Sequence, residues 1–127
     1  MTGEQQEGDL SGEQSPLRLE WRDTLGAIIA GVKSGQYPMR SGKDTIAKVS
    51  PKTASFIASY VEDYGEVIIE QTDAAWKRSV CFWEGDKWRA LVDLSTLTEP
   101  ISDLVLFVDI EPRNDQNHFV IRSVHVP

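Results

Sequence analysis

Hydrophobic positions recur with a helical period in the first half of the chain and alternate with a strand period in the second. Trp21, Leu25, Ile28 and Val32 share one helical face, and Lys33 and Gly35 mark the end of that pattern. Ser15-Pro16 has the form of a helix start, a serine cap followed by proline at the first helical position. Gly26 and Gly31 each weaken such a helix by up to ~1 kcal/mol relative to Ala, and each lets another element come close. Ser50-Pro51 repeats the start signal. Ala54, Ile57, Ala58 and Val61 then form the stripe of a second helix, widened by Phe56 and Tyr60 and closed by Tyr64-Gly65. Residues 36–49 carry a break at Tyr37-Pro38 and at most one helical turn, over 45–48.

Five strands are predicted from there, over 66–71, 77–83, 87–94, 104–110 and 119–126. The connections, with 72–75 read as a turn, leave no room for crossover helices, so the sheet is expected to be antiparallel. The fold class is therefore α+β: two N-terminal helices packed on one face of a five-stranded, antiparallel, curved sheet.

The hairpin at Gly85 allows two registers. A two-residue loop, Gly85-Asp86, pairs Trp83 with Trp88 and aligns Cys81, Trp83, Trp88, Ala90 and Val92. A three-residue loop aligns Val80, Phe82, Trp88, Ala90 and Val92 instead and turns Trp83 to the opposite face. The second grouping is the more uniformly apolar and is the expected one. In the fourth strand Leu104, Leu106, Val108 and Ile110 make a core face, yet Val105 and Phe107 leave the other face apolar as well. A face left in water would carry polar residues there. Trp83, Val105, Phe107, Phe119 and Ile121 are accordingly the candidate interface, to be covered by the chain itself, a second copy or a partner.

Composition narrows the function classes. A chain of 127 residues, 40% hydrophobic, suits one domain, here 15–127, with residues 1–14 read as an acidic, disordered tail. No stretch reaches the ~18 apolar residues of a membrane span, and the N-terminus lacks the basic and apolar regions of a signal peptide, so a cytoplasmic location is expected. The net charge of −7 is uneven: residues 18–58 carry seven basic and three acidic groups, residues 59–127 six basic and thirteen acidic. An acidic sheet half repels nucleic acid and favours encounter with a basic protein.

Candidate chemistry is sparse. The lone Cys81 has no partner for a disulfide or metal site and reads as a small packing residue. Asp93, Ser95, Thr96, Glu99, Ser102, Asp103 and His125 could support acid–base or metal chemistry, but Asp and Ser at strand ends more often satisfy turn backbone groups. Trp21, Trp76 and Trp88, with Asp93, Asp103 and His125, are the candidate pocket. No cofactor and no metal is expected.

The order of Tyr64-Gly65, Asp73-Ala74-Ala75-Trp76, Trp88, Ser102-Asp103-Leu104-Val105-Leu106 and a terminal Val124-His125-Val126 resembles a family of small, uncharacterised bacterial α+β proteins, over residues 19–126. Helices followed by a curved sheet also resemble the cystatin-like and nuclear-transport-factor-2-like superfold, without the full helical complement or the acidic dyad of its larger members. Small bacterial proteins of this general type include immunity proteins, which is a fold-level analogy. Two readings stand. One is a non-catalytic interaction module, immunity- or antitoxin-like, binding a basic, toxin-like partner through an acidic sheet surface or pairing with itself. The other is a small-ligand-binding or weakly catalytic domain with a pocket between helices and sheet.

Overall fold

Ser50 caps the second helix as its sequence implies, accepting the Thr53 N–H at 3.1 Å, and Gly65 closes it. The computed structural model describes residues 13–127, so the expected tail lies, except for residues 13 and 14, outside the described residues. In chain order the elements are β1 (Ser15–Pro16), a 3-10 turn (Leu19–Trp21), α1 (Arg22–Ser34), β2 (Arg40–Ser41), β3 (Asp44–Ile46), α2 (Pro51–Tyr64), α3 (Asp73–Arg78), β4 (Val80–Trp83), β5 (Trp88–Asp93), β6 (Val105–Arg113) and β7 (Gln116–His125).

The strands form one curved, open, seven-stranded sheet in the order β1-β4-β5-β6-β7-β3-β2. The α+β class holds, with seven strands and three α-helices in place of five strands and two helices. The sheet is mixed rather than antiparallel throughout, because β3 runs parallel to β7 with Thr45 opposite His118 and Ile46 opposite Phe119. The region expected to be at most a helical turn thus supplies the β2-β3 hairpin.

Several expected boundaries move for identifiable reasons. Ser15-Pro16 does not start a helix; it pairs with β4 at the sheet edge, where Pro16, lacking an N–H, costs no ladder bond. Residues 72–75 open α3 instead of a turn, because the Thr72 hydroxyl accepts the Ala75 N–H at 3.1 Å. Residues 66–71 form no named strand: Ile68 makes an isolated bridge to Thr96, and the Thr96–Glu99 turn stops the ladder from extending. At the far end β6 and β7 run on to a two-residue turn at Asn114-Asp115.

The core lies between one face of the sheet and α1. Trp21, Leu25, Ile28 and Val32 are all buried, against Cys81, Ala90, Val92, Leu106, Val108, Ile110, Phe119 and Val124. Gly31 is needed there: a Cβ would sit 2.9 Å from Tyr37 Cδ1 and 3.1 Å from its Cα. α3 packs on β5, with Ala75 buried. α2 runs along β7; of its expected stripe only Ile57 is fully buried, while Ala58 and Phe56 are exposed. No described helix is long and apolar enough to cross a membrane.

The hairpin adopts the register that the apolar count disfavours. Cys81 faces Ala90 and Trp83 faces Trp88, and Glu84 N–H donates to Lys87 O at 2.8 Å across Gly85-Asp86. Gly85 has φ 93, the left-handed backbone that a tight two-residue turn requires. Cys81 is therefore the buried core residue of β4, and Val80 and Phe82 go to the other face.

Candidate functional site: the outer face of the sheet

Cross-strand partners share a face, so the register fixes what lies opposite the core. One row across the strands is Ser123, Phe107, Leu91 and Val80; the next is Val120, Asp109, Arg89 and Phe82. The pairing of β6 with β7 slips between Phe107 and Val108: Phe107 lies opposite Ser123 but Val108 opposite Ile121, leaving Arg122 as the extra residue of a bulge. The bulge keeps both Ile121 and Val124 in the core while presenting Arg122 and Ser123 together on the outer face.

Two features meet there. The first is an aromatic and apolar belt. His125 stacks on Phe107 with ring centroids 4.4 Å apart, Tyr60 of α2 meets His125 edge-on at 6.0 Å, and Phe56, 54% exposed, lies 6.0 Å from Tyr60. Ser123 Oγ and His125 Nδ1 lie 2.9 Å apart, fixing the imidazole over the sheet. Phe107 continues through Leu91 to Val80, all half-buried, as is the neighbouring Phe82.

The second feature is a charged row centred on Asp109, 1% exposed. Arg89 Nε donates to Oδ1 at 2.7 Å, Arg122 Nε donates to Oδ2 at 2.7 Å, and Lys87 Nζ lies 3.3 Å from Oδ2. Burial pushes the Asp109 carboxyl up, but the Arg89 and Arg122 hydrogen bonds and the surrounding positive charge outweigh it and hold the group below the ordinary carboxylate range. Its hydrogen bond to Asp109 in turn raises Arg89 above its usual value, against the opposing effect of burial. Glu84 Oε1 stands off Arg89 Nη2 at 3.7 Å. The outer face as a whole carries Arg40, Lys87, Arg89, Arg113 and Arg122 against Glu84, Asp93, Asp109 and Glu111, so it is not acidic and has one cation in excess. Much of the acidic excess lies outside the strands, on Glu62, Asp63, Glu66, Glu70 and Asp73.

The residues singled out from sequence separate. Val105 and Phe107 lie on the outer face, Val105 almost covered. Phe119 and Ile121 are core residues on the opposite face, and Trp83 sits on that same face with its ring 5.1 Å from Trp88. The six pocket candidates do not form one pocket. Trp21 is buried against Trp88 at 5.7 Å, its Nε1 without a hydrogen-bond partner, and Arg18 stacks over the Trp88 ring at 4.8 Å. Trp76 walls a groove of about 500 Å³ with Arg22, Gly26, Ile29 and Lys33. Asp93 and Asp103 line a separate hollow of about 440 Å³ beside Arg78. Burial raises the Asp93 carboxyl, opposed by Arg78 and reinforced by Asp103. His125 belongs to the aromatic belt.

The polar residues near Asp93 serve the chain's own turns. Ser95 Oγ donates to Pro100 O at 2.6 Å, Ser102 Oγ donates to Leu94 O at 2.7 Å, and Thr96 Oγ1 accepts the Glu99 N–H at 3.1 Å. Among the described residues no group of three or more His, Cys, Asp or Glu is placed to hold a metal ion. Asp109, Arg89 and Arg122 were not singled out from sequence. The available signal was one carboxylate inside the otherwise apolar run 104–110, with an arginine inside each neighbouring strand.

The fold and this face define a small α+β domain on an open mixed sheet, with a half-buried outer surface that mixes apolar side chains with charges of both signs. Residues 29–127 match the family described as Domain of unknown function (DUF7668), and the chain belongs to that family. No curated protein and no solved structure gives a match to this chain.

Proposed function

We propose that the chain is a non-catalytic protein-interaction module, immunity-like in kind, that docks a protein partner on the outer face of its sheet. The observation that carries this reading is the continuous belt of Tyr60, His125, Phe107, Leu91 and Val80, half-buried and running from α2 across the strands to β4. An aromatic surface with a polar row beside it has the make-up of a protein interface core and rim. The −7 charge of the chain raises the long-range encounter rate with a partner that is basic overall, independently of the local charge of the segment that docks.

The test is affinity capture from the native host with three baits: the wild type, Phe107→Lys on the belt, and Leu97→Lys at an exposed apolar position elsewhere. Capture by the wild type and by Leu97→Lys, lost in Phe107→Lys with an unchanged circular dichroism spectrum, supports the reading. Equal capture by all three baits counts against it. Light scattering of wild type and Phe107→Lys separates pairing with a second copy from binding a different protein.

The groove beside Trp76 favours a second reading, small-ligand binding. Arg22 lies over Trp76 at 5.5 Å with its buried Nε unpartnered, and a Cβ on Gly26 would meet nothing within 4 Å. A small-molecule thermal-shift screen tests it, since ligand at 100 times its dissociation constant stabilises by ~2.7 kcal/mol. Hits that persist in Gly26→Leu, which fills the groove, would rule this groove out.

A further inference from the structure

We propose that Lys87, Arg89 and Arg122 form a carboxylate-binding site on the outer face, and that the partner segment it takes is an extended acidic one with apolar side chains alternating between its carboxylates. The inference rests on the outer face being the docking surface and names the chemistry of what docks. Three cations converge on one buried carboxylate, and the nearest second carboxylate, Glu84, stays 3.7 Å from Arg89.

The bonding pattern leaves the Nη edge of Arg122 available, while Arg89 Nη2 stands 3.7 Å from Glu84. Arg89 and Arg122 both contact Asp109 through Nε. A carboxylate ligand is gripped best by two parallel N–H groups of one guanidinium, and in Arg122 the Nη groups have no acceptor among the described residues. Arg122 is 51% exposed and Arg89 34%, so both reach solvent, while Asp109 fixes their planes in advance. A site whose donors are already oriented loses less entropy on binding. The bulge at Arg122 supports the same purpose, since it adds an outward-facing residue at this row without taking Ile121 or Val124 out of the core.

The row lies directly beside Phe107, Leu91 and Phe82. An extended segment set edge-on between the two rows sends alternate side chains to either side, apolar ones over the Phe107–Leu91 row and carboxylates over the Arg89–Arg122 row. The overall charge of −7 does not oppose this at contact range, because a Debye length of about 8 Å at physiological salt leaves the local cations in control. It does oppose a polyphosphate, whose many charges meet only a short row on an acidic molecule.

The experiment uses the full chain and two labelled synthetic peptides, one alternating Leu and Phe with Asp and Glu, the other its Asn and Gln twin, followed by fluorescence anisotropy. The acidic peptide is expected to bind about tenfold tighter than its twin at low salt, the worth of one charge-assisted bidentate pair. That preference should shrink as salt rises. It should also collapse in Arg122→Gln, at a half-exposed site, and in Lys87→Gln, at a site 25% exposed, each with an unchanged circular dichroism spectrum, and persist in Lys33→Gln on the far helix. Equal binding of both peptides would overturn the carboxylate site while leaving a docking face that Phe107→Lys still abolishes. No binding of either peptide, a preference unchanged in Arg122→Gln, or tighter binding of a single-stranded oligonucleotide would each overturn it as well.

Discussion

Replacing Asp109 with Asn keeps the shape of the side chain and removes its charge. The carboxylate accepts two short charge-assisted hydrogen bonds, from Arg89 and Arg122. Such bonds contribute about 1.5–3 kcal/mol each to stability. Asn keeps one acceptor, neutral and weaker, and turns an N–H₂ group toward a guanidinium that cannot accept. Two terms offset this. The arginines are 34% and 51% exposed and can rehydrate, and burying the Asp109 charge itself costs free energy that Asn avoids. The net expected loss is about 2 kcal/mol at pH 7, or a fall in Tm of roughly 6–10 °C for a domain of this size. Arg122→Gln, half-exposed and screened, is expected to cost only about 0.5–1 kcal/mol.

The pH dependence gives an independent check. Asp109 has a folded pKa below its unfolded value, so its contribution is fully present above the unfolded value and is lost as pH falls through the folded one. Urea denaturation at pH 7 and near pH 3 should therefore show the gap between wild type and Asp109→Asn closing in acid. A variant as stable as wild type at pH 7, or a gap that does not narrow in acid, would refute this account of the row.

Two further outcomes follow from local geometry. Gly31→Ala should destabilise by about 1–3 kcal/mol, since its Cβ would press on the Tyr37 backbone, whereas Gly26→Ala has open space and should gain about 0.5–1 kcal/mol; thermal melts of the pair check this. Asp93→Asn should stabilise the domain at neutral pH, because burial raises the folded pKa of Asp93 and its charged form is penalised there. That gain should vanish below the unfolded carboxyl range, and urea titrations at the two pH values would show it.

The parts of the fold legible in the sequence are those in which a period settles the phase. Trp21, Leu25, Ile28 and Val32 recur at helical spacing and are all buried, and the Ser50-Pro51 start and Gly65 stop bracket α2. Val80, Cys81, Phe82 and Trp83 are all apolar, so alternation gives no phase, and the turn at Gly85 decides the register instead. The parallel pairing of β3 with β7 joins residues 73 apart, such as Thr45 and His118, and nothing local announces it. The outer-face row is hidden for the same reason. Arg89 lies 20 residues before Asp109 and Arg122 lies 13 after it, and only the register of three strands brings them together. A trace of it was nevertheless present. The apolar alternation of Phe119 and Ile121 resumes at Val124, one residue out of phase, which is the signature of the bulge that exposes Arg122.

Stability alone does not account for this row. Replacing a buried ion cluster by packed apolar residues of similar volume is often neutral, or stabilising by about 1–4 kcal/mol, even though removing one member of the cluster is costly. The outer face already has Phe82, Leu91 and Phe107 in place, so Leu or Val at 109 with an aliphatic residue at 89 would extend a surface the chain has begun to build. Such a face would be a flat apolar patch open to indiscriminate association. With the cations tied to Asp109, the same face is half apolar and half oriented charge, and under the docking proposed above a partner would have to supply carboxylates in register with its apolar side chains to displace water from both. Under that proposed docking the charged row would limit which partners the belt accepts, with Asp109 holding Arg89 and Arg122 in place.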